Sequence, residues 1–187
     1  GLIKRRSLTF ESFHKTLPMG NACPGRVNNN QLYMSGSKRV NLIPQLVAVH
    51  TLFVREHNRR AKYILEKHPT WEDESIYQSA RKWVIALIQN IFYMEYLPQL
   101  LGTSIDAYNE YDSTLDPAVD IFAGTVALRY GHSEVPSVYG GNNDVPVLRD
   151  SFFHPKDYVY NNESFVSILR SMMESKQETV DPYVVDD

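Results

Sequence analysis

The sequence has few of the features that mark several large classes of protein. Its single cysteine, Cys23, cannot form a disulfide within the chain. No apolar run reaches the roughly 18 residues that a membrane-spanning helix needs, and no apolar signal core follows the basic residues after Gly1. The 22 acidic and 19 basic residues are interspersed and leave a net charge of -3. Without a broad basic surface, nucleic acid is not expected as a partner.

Several common catalytic motifs are absent as well. Gly140-Gly141 follows no strand pattern, so no glycine-rich phosphate loop is predicted, and the chain contains no HExxH zinc motif. No serine lies in a G-x-S-x-G turn. Cys23 lies beside Pro24 in a loop-like segment that lacks the helix N-terminus or apolar pocket needed to activate a thiol. These absences argue against nucleotide-binding, zinc-protease, serine-hydrolase and cysteine-nucleophile chemistry.

What the sequence does contain is helical periodicity. Its 187 residues, 43% hydrophobic and 12% aromatic, can fill one domain core or a large piece of one. Residues 1–43 are predicted to be loop. From Pro44 onward, apolar residues recur at steps of three and four, which predicts a long helix near residues 42–67.

Three further helices follow the same logic. One is predicted near residues 72–97, ending at Leu97-Pro98, and another near 116–132, beginning at Asp116-Pro117. A short helix is predicted over 162–174. Since no alternating strand pattern competes, the predicted fold class is mainly α, with long irregular loops.

The most suggestive residue pair lies at the end of the third predicted helix. His132 and Arg129 are three residues apart, so a guanidinium could bind a carboxylate while an imidazole faces the same ligand. The alternative is structural, because a cation near a helix C-terminus is favoured by the helix dipole. Considered alone, these two residues leave both interpretations open.

Two other groups of charged residues deserve the same comparison. Arg39 directly precedes the Pro44 helix, where a cation and the positive helix end would both stabilise a developing anion, although a loop arginine is most often solvated. The segment 50–61 contains His50 and His57, which are too far apart to bind one metal. We interpret that segment as a structural ion network.

Four segments in order then resemble one family, the animal haem peroxidases: "HTLFVREHNRRAKYI", "YQSARKWVIALIQNIFYMEYLPQLLG", "ALRYGHSEVP" and "LRDSFFHP". The resemblance covers roughly residues 31 to 187. It implies that His132 is the proximal axial ligand of haem iron and that Arg129 pairs with a haem propionate. It also implies that Arg39 is the distal catalytic arginine, which polarises bound peroxide.

The sequence departs from the family in three ways. Leu42 occupies the position where many members have a glutamate esterified to a haem methyl, so this covalent link is expected to be absent. Cys23 resembles one half of a family disulfide, but Leu32 lies near the position of its partner. The distal histidine, the calcium loop and the C-terminal part of the domain are also absent. Residues 1–187 are therefore expected to be part of one catalytic domain and inactive alone.

The resemblance implies a secreted, haem b-dependent peroxidase, with calcium bound by the absent N-terminal segment. Its partners would be hydrogen peroxide and small reducing substrates, namely phenolic, tyrosyl or halide donors. One alternative is a haem fatty-acid dioxygenase of the same superfamily. Another is a peroxidase-like adhesion or matrix module that has lost haem, which Leu42 favours. The sequence leaves the reducing substrate and the oligomeric state open.

Overall fold

A computed structural model describes residues 32–139 and 147–181. In these ranges the chain is mainly helical, as predicted, with an isolated antiparallel bridge between Val138 and Val147 and no regular strand. The predictions about Cys23 and most of the 1–43 loop lie outside the described residues. The helices are α1 (Pro44–Lys67), α2 (Asp73–Ile91), α3 (Leu97–Leu101), α4 (Ile121–Thr125), α5 (Pro155–Tyr158) and α6 (Asn162–Glu174).

Helices α1 and α2 form an antiparallel hairpin. Helix α1 begins with Pro44 at its first turn, as the sequence predicts, because that position needs no backbone donor. Near the turn of the hairpin, four small or branched residues pack together: Ala61, Ile64, Ile76 and Ala80. The Trp83 indole donates a hydrogen bond to Glu56 at 2.9 Å, which fixes the two helices in register.

The second predicted helix does not stop at Leu97-Pro98. Helix α2 continues into a π-helical turn, Phe92–Tyr96, and then into α3. In the wider turn the Leu97 N–H donates to the Phe92 carbonyl, five residues back. We attribute the passage through Pro98, which has no N–H, to this local widening of the hydrogen-bond ladder. The helix ends only at Gly102, whose φ of 66° suits a residue without a side chain.

The third predicted helix, near residues 116–132, is wrong in its extent. Residues 116–120 are not helical, and a 3₁₀ helix, Ala127–His132, follows the short α4. The start at Asp116 is also wrong, because the Asp120 carboxylate caps α4 by accepting the N–H groups of Phe122 and Ala123. The Asp120 cap thus favours a helix that begins at Ile121 over one that begins at Asp116. The predicted apolar stripe remains exposed and gains no packing that would hold a longer helix together.

The main core joins the start of α1 to α6. Its buried members are Tyr33, Val40, Val47, Ala48, Val159, Phe165 and Ile168. Helix α6 has the predicted bounds because a local signal begins it: the Asn161 side chain accepts the Ser164 N–H, and the Ser164 hydroxyl accepts the Asn161 N–H. This core holds the segment that carries Arg39.

Membrane-spanning helices are absent from the described part of the chain, where no helix is both long and apolar enough.

Candidate functional site

Arg39 lies in a 3₁₀ helix, Lys38–Asn41, immediately before α1. The Ser37 hydroxyl accepts the Arg39 N–H at 3.2 Å and so caps this short helix. The Arg39 side chain is exposed, and no hydrogen bond or ion pair engages its guanidinium within the described residues. Its backbone is thus fixed while its charged group is available for a ligand.

A buried amide anchors the same helix. Asn41 is 2% exposed, and its side chain both accepts the Tyr33 N–H at 2.7 Å and donates to the Tyr33 carbonyl at 2.8 Å. The Tyr33 hydroxyl in turn donates to the Val159 carbonyl. No sequence pattern indicates this role for Asn41, because an asparagine in a loop-like stretch carries no signal of burial.

We therefore expect Asn41→Ala to destabilise the fold. The substitution removes two hydrogen bonds between a buried amide and the buried Tyr33 backbone, each worth about 0.5–1.5 kcal/mol. The free energy of unfolding should fall by about 2 kcal/mol or more in a denaturant titration. Gln78→Ala is the control, since the Gln78 amide bonds Glu74 on the surface and its loss should cost less than about 0.5 kcal/mol. Equal effects of the two substitutions would contradict the anchoring role.

Leu42 connects this helix to a distant segment. The Leu42 carbonyl accepts the Phe153 N–H at 3.0 Å, and the Phe153 backbone is held at a φ of 61°, which is uncommon for a phenylalanine. Gln45, in the first turn of α1, is 3% exposed. Its side-chain amide nitrogen and oxygen have no hydrogen-bond partner in the described ranges. Sequence analysis did not identify Gln45 either.

Arg129 and His132 both lie in the 3₁₀ helix Ala127–His132. Side chains three residues apart eclipse one another in a 3₁₀ helix, so the two groups lie on one face more closely than α-helical spacing would place them. Both side chains are exposed and have no hydrogen bond or ion pair in residues 32–139 and 147–181. The two residues therefore share one helix, as the sequence predicts, but it is a 3₁₀ helix and not an α-helix.

Contacts on both sides of His132 hold this short helix. Tyr130 and Tyr96 share a hydrogen bond of 3.3 Å between their hydroxyl groups, which joins the helix to the π turn. That hydrogen bond raises the pKa of Tyr130 to about 12. After His132, the Glu134 carbonyl accepts the Glu178 N–H at 2.9 Å, and the Ser133 hydroxyl accepts the Asp181 N–H at 3.3 Å.

The segment 50–61, which is predicted to be a structural ion network, contains an ion pair between Glu56 and Arg59. Glu56 accepts hydrogen bonds from Arg59 at 2.7 and 2.8 Å, and Arg59 holds the pKa of the Glu56 carboxyl below its usual value. His57 is buried against Tyr77, with 5.3 Å between the ring centroids. Burial lowers the pKa of His50. Among the described residues, no three potential ligands come together to bind a metal ion.

The three predicted site residues thus lie on two separate elements. Arg129 and His132 share one helix face, and no described hydrogen bond or ion pair joins Arg39 to either of them. Around His132 the chain also exposes large apolar side chains: Ile121, Phe122, Val126 and Leu128. Within the described ranges, neither the His132 imidazole nor the Arg129 guanidinium has a hydrogen bond or ion pair. A nitrogen ligand, a cation and exposed apolar side chains fit haem, which is an apolar ring with two carboxylates.

Known proteins resemble this chain over most of its length. Peroxinectin A from Dictyostelium discoideum is 35% identical over 164 residues, which cover 84% of this chain and 30% of that protein. Thyroid peroxidase from Mus musculus is 35% identical over 175 residues, covering 83% of this chain and 19% of that protein. Lactoperoxidase from Mesocricetus auratus is 43% identical over 110 residues, covering 56% of this chain and 15% of that protein.

A solved structure shows the same likeness in three dimensions. Peroxidase A from Dictyostelium discoideum matches with a TM-score of 0.76 and 34% sequence identity, covering 90% of this chain and 33% of that structure. The chain therefore spans about a third or less of the proteins it resembles. A profile of the animal haem peroxidases matches residues 2–187. On this near-complete match, and on the agreement in fold, the chain belongs to the animal haem peroxidase family.

Proposed function

We propose that this chain forms part of the catalytic domain of a haem peroxidase, which reduces hydrogen peroxide and oxidises phenolic, tyrosyl or halide donors by one electron at a time. The observation that carries the proposal is the exposed imidazole of His132, which has no hydrogen bond or ion pair among the described residues and lies with Arg129 on one helix face, in a chain of this family. Bound haem supplies the redox chemistry, and the protein supplies its ligand and its charged surroundings.

His132 would bind the iron through one ring nitrogen of its neutral imidazole. Arg129, eclipsed with it, would bind a propionate through a charge-assisted hydrogen bond. Tyr130 lies between Arg129 and His132 in the sequence. Its hydrogen bond to Tyr96 supports this arrangement indirectly, because it fixes the short helix that carries both side chains. His132 would thus hold the haem at its iron, and Arg129 would hold it at a propionate.

Arg39 would act on the peroxide. Its guanidinium carries a fixed positive charge, and the helix that presents it is anchored by Ser37 and Asn41. A preorganised cation of this kind stabilises negative charge as it develops on oxygen. Arg39 would therefore favour cleavage of the oxygen–oxygen bond, while the proton is moved by a distal histidine outside this chain.

The remaining parts of the proposal concern the longer protein. We propose that segments outside residues 1–187 complete the domain, contribute the distal histidine and bind calcium, and that the protein is secreted. The exposed apolar side chains of the π turn and α4 support the completion of the domain by other segments, because a surface of this kind is covered by other elements in a finished domain.

Haem loading tests the proposal in the full-length protein. We expect a Soret band, a histidine-ligated spectrum and oxidation of a phenolic donor when peroxide is added. Because Leu42 cannot form the ester link, acidified organic solvent should extract more haem than from a family member with glutamate there. A folded protein that takes up no haem would contradict the proposal and favour a non-catalytic adhesion or matrix module.

A further inference from the structure

A groove lined by aromatic rings and cations lies beside the turn of the α1–α2 hairpin. Its volume is about 550 Å³, which is within the usual size of small-molecule sites. The residues that matter here are Arg60, Tyr63, Lys67, Trp71, Lys82 and Trp83. We call it the tryptophan groove, since Trp71 and Trp83 are the two tryptophans of the chain.

The charge of the tryptophan groove is positive. Arg60, Lys67 and Lys82 line it, and no aspartate or glutamate is among its lining residues. Glu56 touches its edge through the Trp83 indole N–H at 2.9 Å, but that carboxylate also accepts two hydrogen bonds from Arg59. An anion entering the groove would therefore meet an excess of cations.

Arg60 offers an unused donor in the wall of the groove. Its guanidinium lies over the ring of Trp83 at 4.2 Å and over the ring of Tyr63 at 4.8 Å. Its Nε atom is buried and has no hydrogen-bond partner in the described part of the chain. Since the Nε atom is closed to a water-sized group, an anion in the groove would reach Arg60 at the terminal nitrogens of its guanidinium.

The tryptophan groove is separate from the site of Arg39. Helix α1 has 24 residues, which makes it about 36 Å long. Arg60 and Lys67 lie in its last turns, whereas Arg39 precedes its first turn. A ligand in the groove would therefore not contact the arginine proposed to act on peroxide.

We propose that the tryptophan groove binds a small planar aromatic carboxylate. The ring would pack on the two indoles, which are 42% and 39% exposed at Trp71 and Trp83. The carboxylate would be bound by Arg60 and Lys82. The indoles would contact the aromatic ring of such a ligand, and the cations would bind its carboxylate. A simple anion would make only the second contact, and a neutral ring only the first.

The test follows the binding of benzoate to the full-length protein, without added haem, by ligand-observed NMR. We expect saturable binding with a dissociation constant of about a millimolar, as suits so small a ligand. Acetate lacks the ring and benzyl alcohol lacks the charge, so each should bind at least about fivefold more weakly.

Two charge-removing variants complete the test, both checked for folding by circular dichroism. Lys82→Gln should weaken benzoate binding by roughly threefold to fivefold, because an exposed cation contributes modestly. Lys156→Gln removes the same charge from an exposed position on α5 and should leave binding unchanged. Equal affinity for benzoate and benzyl alcohol, or no effect of Lys82→Gln, would overturn the proposal. The assay contains neither haem nor peroxide, so its failure would leave the proposed peroxidase function intact.

Discussion

His132→Ala in the full-length protein should remove the axial bond to iron and with it the histidine-ligated ferrous spectrum. Haem affinity should fall. Peroxidase activity should drop by more than about 100-fold, because losing even a residue that only hydrogen-bonds to a metal ligand costs up to about 100-fold. The physical reason is direct: no other described side chain offers an imidazole on that helix face. Reconstitution with haem followed by ferrous spectroscopy measures the effect.

His154→Ala is the matched control for this experiment. His154 is also exposed, and its imidazole lies 3.7 Å from the Asp157 carboxylate, so its loss should affect only a surface contact. His57→Ala should alter stability at most, because His57 is buried in the hairpin. If the His132 variant kept the parent spectrum and activity, His132 would be a helix-end residue and the proposed site would be wrong.

Arg39→Ala should leave haem bound but slow its reaction with peroxide by about 10²-fold to 10³-fold, the usual cost of losing one preorganised charge-stabilising donor. Stopped-flow mixing of the haem-loaded protein with peroxide gives this rate without interference from the reducing substrate. The backbone of Arg39 is capped by Ser37, so truncating the side chain should not unfold the segment.

Arg149→Ala provides the control, because Arg149 is an exposed arginine with only a 3.9 Å contact to Asp150. Its removal should change neither haem content nor the peroxide reaction. Should Arg39→Ala instead lower haem occupancy while the remaining loaded protein reacts at the parent rate, Arg39 would have a structural role and the assignment would fail.

The parts of the fold that were predicted correctly are those with local signals. Pro44 begins α1, and apolar residues recur along it at helical spacing. The sequence predicts helix α6 at its observed bounds because a capping pair and an amphipathic stripe lie within one short stretch. The choice of His132, Arg129 and Arg39 came from ordered segments that resemble a family, and it stays a prediction.

The errors arose where a distant or competing group decides the backbone. Leu97-Pro98 is a helix stop by local rules, yet the π turn before it lets the helix continue to Leu101. The periodicity after Asp116 predicts a helix, but Asp120 caps a later start and the apolar stripe finds no surface to pack against. A pattern of neighbouring residues does not show which of two competing backbone conformations is the more stable.

By itself, the sequence determined the mainly α class, the two long helices α1 and α2 and the spacing of Arg129 and His132, because these depend on residues close together in the chain. Only the tertiary structure decided that Asn41 is a buried anchor and that Arg60 lines an aromatic groove with Trp83. Each of those outcomes depends on groups brought together by packing between helices and loops. Whether a side chain is buried, and which group it contacts, depends on residues that are distant in the chain. A short stretch of sequence therefore does not determine either.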